Sequence, residues 1–223
     1  MINAIETLLS QREAPVVVAL DGGSGAGKST LAAAIAAAFD TALIPLDDFF
    51  AAGIPDARWD TFTTEEKLAR AFDWDRVRRE ALEPLLEGRP ARWHAFDFAA
   101  GLRPDGTYGM EETAKERAPA DVILLEGAYA AGPALADLVD LTILVDVPLA
   151  VRYARLEDRE DPDFLAAWHA RWDDVEAHYF THVRPPRTFD LVVKGQAGAP
   201  ATSTRHRDVT TAKEPTDEQR QTG

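Results

Sequence analysis

The segment Gly22-Gly23-Ser24-Gly25-Ala26-Gly27-Lys28-Ser29 satisfies the pattern G-x-x-x-x-G-K-S/T at every fixed position. No other stretch restricts the fold as strongly. Such a loop works only where it joins the end of a buried strand to the start of a helix, so that backbone N–H groups and the helix dipole converge on one point. Both flanks comply. Residues 16–20 form a β-branched apolar run suited to a strand covered on both faces, and residues 28–39 are alanine-rich and strongly helix-forming. The glycines let the backbone wrap anionic oxygens without Cβ clashes. Lys28 then supplies a point charge for β- and γ-phosphates, the Ser29 hydroxyl a ligand for Mg²⁺, and Thr30 a contact to an α-phosphate.

The rest of the chain repeats the alternation. Helical spacing of Ile2, Ile5, Leu8 and Leu9 predicts a helix over residues 1–13, and residues 41–46, 91–98, 121–125, 141–147 and 189–193 read as strands. Helices are expected at 75–87, 132–139, 148–159 and 163–183, with a capping box at Thr63 and Glu66 opening one more; residues 49–62 and 99–109 read as loops. Strands alternating with helices predict an α/β protein, a three-layer α/β/α P-loop NTPase fold with a central parallel sheet, spanning residues 1–194. From residue 195 to 223 the apolar content collapses, which predicts a disordered tail.

Composition narrows the function classes. Lys plus Arg number 24 against 38 for Asp plus Glu, a net charge of −14, and no basic run is present to neutralise a nucleic-acid backbone. No apolar stretch approaches the roughly 20 residues of a membrane span. With no cysteine and no basic N-terminal region, a cytoplasmic enzyme with a small-molecule partner is expected, its oligomeric state left open.

Ligands of open α/β sheets gather at the carboxyl ends of the strands, which singles out Asp47 and Glu126. A carboxylate there either holds Mg²⁺ through its water shell or takes the proton of an attacking hydroxyl; Asp47 is read as the base and Glu126 as the metal-shell ligand, with strand or helix capping as the alternative. Asp48 reads better as a cap.

These residues resemble the uridine kinase family within the P-loop kinases, a group that also includes nicotinamide riboside kinases and relatives of phosphoribulokinase and pantothenate kinase. The resemblance covers about residues 15–194 and is carried by residues 21–30, Asp47-Asp48-Phe49-Phe50, Phe72-Asp73-Trp74-Asp75, Leu85-Leu86-Glu87-Gly88, Phe96-Asp97-Phe98 and Leu124-Leu125-Glu126-Gly127. It implies that ATP, with Mg²⁺, donates its γ-phosphate to a hydroxyl of a nucleoside or similar small molecule, with Asp47 as the catalytic aspartate and Arg152, Arg155 and Arg159 in a mobile lid. Three departures bear on the acceptor. The family's base-reading histidine is replaced by the run Ala99-Ala100-Gly101, its tyrosine by Phe96, and the position of its ribose-holding aspartate by Lys67, the nearest suitable acid being Asp60. A non-nucleoside acceptor such as pantothenate, a sugar or an antibiotic hydroxyl is the alternative, and a nucleotide-hydrolysing regulator a more distant one.

Arg152 and Arg155 fall on one helix face with Arg159 a turn later, a stripe able to close over a transferring phosphate or equally to pair with Glu157, Asp158, Glu160 and Asp161. Phe96 and Arg103 complete the expected acceptor contacts. The five histidines show no metal-ligand spacing and read as surface or core residues.

Overall fold

A computed structural model describes residues 1–195. Strand β1 (Val16–Asp21) leads through the glycine loop into α2 (Lys28–Ala38), preceded by α1 (Ile2–Gln11) and followed by β2 (Thr41–Pro45). Four short helices come next: α3 (Asp56–Trp59), α4 (Thr64–Arg70), α5 (Trp74–Arg76) and α6 (Glu83–Leu86). After these the chain runs β3 (Ala91–Trp93), β4 (Lys115–Arg117), β5 (Val122–Glu126), β6 (Leu141–Asp146), α7 (Leu149–Glu157), α8 (Pro162–His178) and β7 (Leu191–Lys194). Five of the strands form a parallel sheet in the order β2-β5-β1-β6-β7, and the apolar strands predicted from composition are its members.

Side-chain alternation along β1 shows why this makes three layers. Val17 and Ala19 enter a core shared with Ile44, Trp59, Leu82 and Tyr179, whereas Val16, Val18 and Leu20 enter a second core with Ile5, Ala32 and Ile35. These five residues are fully buried, and each of the Val and Leu side chains among them contributes roughly 1.5–3 kcal/mol of transfer free energy.

Five expectations are corrected. Of the strand expected at 91–98 only Ala91–Trp93 forms, and it pairs antiparallel with Lys115–Arg117 in a separate two-stranded sheet; the charged composition of the partner hid it. The helix at 75–87 is broken by a π-helical stretch, Val77–Leu82, just before Pro84, whose ring leaves no room for the carbonyl four residues earlier and supplies no N–H. Residues 132–139 make only a 3₁₀ turn, Pro133–Leu135, and the presumed loop at 49–62 contains α3 and follows a 3₁₀ turn at Leu46–Phe49. The helix at 163–183 is α8 extended by a π-helical turn, Tyr179–Val183. The Thr63–Glu66 capping box forms as expected, while the tail from residue 196 onward lies outside the described residues.

Asp21, the last residue of β1, ties the layers together beneath the site. Its buried carboxylate accepts from the backbone N–H groups of Gly22 (2.6 Å), Tyr129 (3.0 Å) and Ala131 (3.0 Å) and from the Tyr179 hydroxyl (2.6 Å). Burial pushes its pKa up, and these donors pull it back toward the ionised form.

Candidate active site

Residues 22–27 turn out of β1 with Gly25 at φ +76° and Gly27 at φ +88°, left-handed conformations that favour glycine, and Gly27 caps α2. A Cβ at Gly25 would lie 2.6 Å from the backbone oxygen of Arg152, so α7 sits directly on the loop. Lys28 extends along the loop, its Nζ donating to the carbonyls of Gly22 (2.9 Å) and Gly23 (3.2 Å). Ser29 and Thr30 follow in the first turn of α2, on the rim of a cavity of about 470 Å³ whose lining includes Ser24 through Leu31.

The neighbouring strands deliver the carboxylates. β5 ends with Glu126 in register with Leu20 on β1 and Pro45 on β2, the three strands stopping at one edge. Burial raises the Glu126 pKa, and so does the neighbouring negative charge of Asp47, while Lys28 and a hydrogen bond with the Ser29 hydroxyl lower it. Asp47 does not close β2 but occupies the 3₁₀ turn after it, exposed and lining the same cavity. Asp48 turns the other way. Its buried carboxylate accepts from Trp93 Nε1 at 2.8 Å and pairs with Lys115 at 2.7 Å, fastening the small sheet to the body.

Two of the three arginines reach the loop. Arg152 Nη1 donates to the Ser24 carbonyl at 3.0 Å and Arg155 Nη1 to the carbonyls of Gly25 (3.1 Å) and Ala26 (3.3 Å). Arg159 lies beyond the end of α7, which stops at Glu157, and pairs with Glu160 at 2.6 Å while still lining the cavity.

The expected acceptor contacts are placed elsewhere. Asp60 is held by Arg171 through two bonds of 2.9 and 3.0 Å and does not line the cavity. Phe96 is buried among Phe50, Phe98 and Tyr108, at 5.2, 4.5 and 5.1 Å between ring centres; Phe98, not Phe96, lines the cavity. Arg103 borders a separate hollow with Arg70, Trp74 and Tyr108. Sequence reasoning passed over Glu176, whose Oε2 accepts from the Ser24 N–H at 2.9 Å and whose Oε1 pairs with Arg152 at 2.6 Å. Only a glycine at position 23 leaves room for this pair, since a Cβ there would meet Arg152 Nη1 at 2.1 Å and Glu176 Oε2 at 2.6 Å. The sequence signal was present in the four-residue recurrence of Phe164, Trp168, Trp172 and Glu176.

A glycine loop and its lysine at the head of a parallel sheet, one carboxylate ending the adjoining strand and another in the turn after the next, and arginines laid across the loop define a P-loop phosphotransferase. Within that class the chain belongs to the family described as "Phosphoribulokinase / Uridine kinase family", whose model matches residues 17–161. It is similar to the uridine kinase of Latilactobacillus sakei, 29% identical over 184 residues and 80% of each chain. A similar match is the uridine kinase of Streptococcus uberis, 29% identical over 178 residues, 78% of this chain and 79% of the relative. The fold matches a possible uridine kinase from Bacillus stearothermophilus at TM-score 0.59 and 18% identity, covering 86% of this chain and 96% of that one. It also matches a putative fructose transport system kinase from Silicibacter sp. TM1040 at TM-score 0.62 and 23% identity, covering 86% and 98%. The chain is thus an ATP-dependent phosphotransferase of the uridine kinase type, acting on a hydroxyl group of a small molecule. No helix among the described residues is long and apolar enough to cross a membrane.

Proposed function

We propose that this enzyme transfers the γ-phosphate of Mg²⁺·ATP to a hydroxyl of a small acceptor that is not a pyrimidine nucleoside, with Asp47 as general base. The observation that carries the reading is the convergence of Lys28, Ser29, Asp47 and Glu126 on one cavity at the ends of three adjacent strands. Lys28 and the loop N–H groups would hold the β- and γ-phosphates. The hydroxyl of Ser29 and the carboxylate of Glu126 are hard oxygen donors already hydrogen-bonded to each other, a set suited to Mg²⁺, which would neutralise the phosphate charge. In the transfer, Asp47 takes the acceptor's O–H proton, the acceptor oxygen bonds to the γ-phosphorus, and the bond to the β-phosphate oxygen breaks to leave ADP. Arg152, Arg155 and Arg159 would face the transferring group. The disfavouring of uridine and cytidine rests on Ala99, Ala100 and Gly101 where the family's base reader stands. A cytoplasmic location completes the reading.

The test is an ATP-consumption screen across nucleosides, vitamins, sugars and aminoglycoside-type alcohols, with no-acceptor controls. Acceptor-dependent ADP release that disappears in Lys28→Ala is the expected result. Uridine used with kcat/KM of about 10⁴ M⁻¹s⁻¹ or more would refute the acceptor assignment.

A further inference from the structure

With Asp60, Phe96 and Arg103 all away from the cavity, its wall on the Asp47 side is built by α8. Phe164, Trp168, Trp172 and Glu176 recur at every fourth position, a spacing that sets side chains in one row, and all four line the cavity. Ring centres follow at 6.0 Å from Phe164 to Trp168 and 5.8 Å from Trp168 to Trp172. Trp172 then meets the edge of Phe50, three residues past Asp47, at 5.7 Å. The row starts near the turn between α7 and α8 and ends on the phosphate-binding loop, where Glu176 is fixed by Ser24 and Arg152.

The chemistry of this wall selects its ligand. Aromatic faces bind flat apolar bodies and cations, and offer few donors to the edge of a polar base. Glu176 spends two of its acceptor positions on Arg152 and Ser24 and retains others for a hydroxyl or ammonium. Asp173, one turn earlier, lines the same cavity, accepting from the Tyr153 hydroxyl at 2.6 Å and contacting His169 Nδ1 at 2.8 Å. Two carboxylates thus stand against the single guanidinium of Arg152 at this end, an arrangement that repels an anion.

Resting on the kinase reading above, we propose that α8 is the acceptor-reading element and that the acceptor is an alcohol on a flat apolar ring, neutral or positively charged. Its ring lies on Phe164 and Trp168, the half-buried rings of the row, with buried Trp172 backing them, and a polar group meets Glu176. Sugar phosphates and carboxylate-bearing alcohols are rejected by the same wall.

The test uses the full chain saturated with Mg²⁺ and a non-hydrolysable ATP analogue, so that the phosphate loop is filled, and follows tryptophan fluorescence and calorimetry. Four probes are titrated: benzyl alcohol, 3-(hydroxymethyl)-1-methylpyridinium, 3-(hydroxymethyl)benzoate and xylitol. The first two should bind at least ten-fold more tightly than the others. Trp168→Ala should weaken those two at least five-fold, and Glu176→Gln should lower the pyridinium relative to benzyl alcohol while leaving the melting temperature within a few degrees. Equal binding of the benzoate or of xylitol, or no response to Trp168→Ala, would overturn the proposal. Failure of the unaltered chain to bind either ADP or the analogue overturns the kinase reading itself, an outcome separate from any ranking of the probes.

Discussion

The phosphate-binding half of the cavity comes from one unbroken run, Ser24 to Leu31, and acts mainly through backbone atoms, whereas the half beyond Asp47 collects Phe50, Phe98, Tyr129, Trp168 and Trp172 from distant stretches and acts through side chains. The first half has a shape imposed by the strand and helix it joins, so little freedom is left to sequence. The second is set by which side chains meet across the fold, and it can change ligand without changing architecture.

Lys28→Ala strikes the phosphate half at its only lysine in the loop and should reduce acceptor phosphorylation about 10³-fold or more in a coupled ADP assay, with an unchanged circular dichroism spectrum. If loss of Lys28 left turnover intact, the contrast between the halves would collapse. Asp47→Asn lies at the seam. It should lower kcat by about 10²- to 10⁴-fold with little change in ATP affinity, since a base acts in the chemical step; a change confined to KM would move Asp47 into the acceptor half as a binding group.

Asp21→Asn tests the scaffold under the phosphate half. The amide keeps one acceptor oxygen where two now serve four donors, so stability should fall by about 2–4 kcal/mol, read as a melting temperature roughly 10 °C lower. The smallest effect is expected at Asp56, on the outer side of the acceptor half. Its hydrogen bond with Arg171 holds its carboxyl below the usual value of 3.8, so the pair adds stability above that pH and loses it as pH falls through the lowered value. Because both partners are partly solvated, Asp56→Asn should cost only about 1 kcal/mol at pH 7, and urea titrations of the two proteins should converge in acid.

The same contrast explains what could be read from the sequence. β1, the loop and α2 were legible because the chemistry is local: a β-branched run, spaced glycines and an alanine-rich helix each carry their own signal. Glu126 was legible because an acid ending an apolar run is unusual. Asp60 was misjudged for its surroundings because Arg171, its partner, lies more than a hundred residues on, and no local pattern announces that meeting. The Glu176 contact with Ser24 was invisible for the same reason, although the row it belongs to was written in the four-residue spacing of α8. The π-helical turns at Val77–Leu82 and Tyr179–Val183 have no distinct composition and were read as ordinary helix.

The strand order has a consequence for how the enzyme is made. β1 emerges first among the strands, yet its neighbours in the sheet are β5 and β6, and the partner of Leu20 is Glu126, roughly a hundred positions later. A chain still on the ribosome therefore carries the complete glycine loop and its lysine long before the strand that braces them exists. Because such distant pairing must wait for synthesis and for closure of a long loop, nucleotide affinity should switch on late and abruptly as nascent length passes β5 and β6, with the loop itself silent until then.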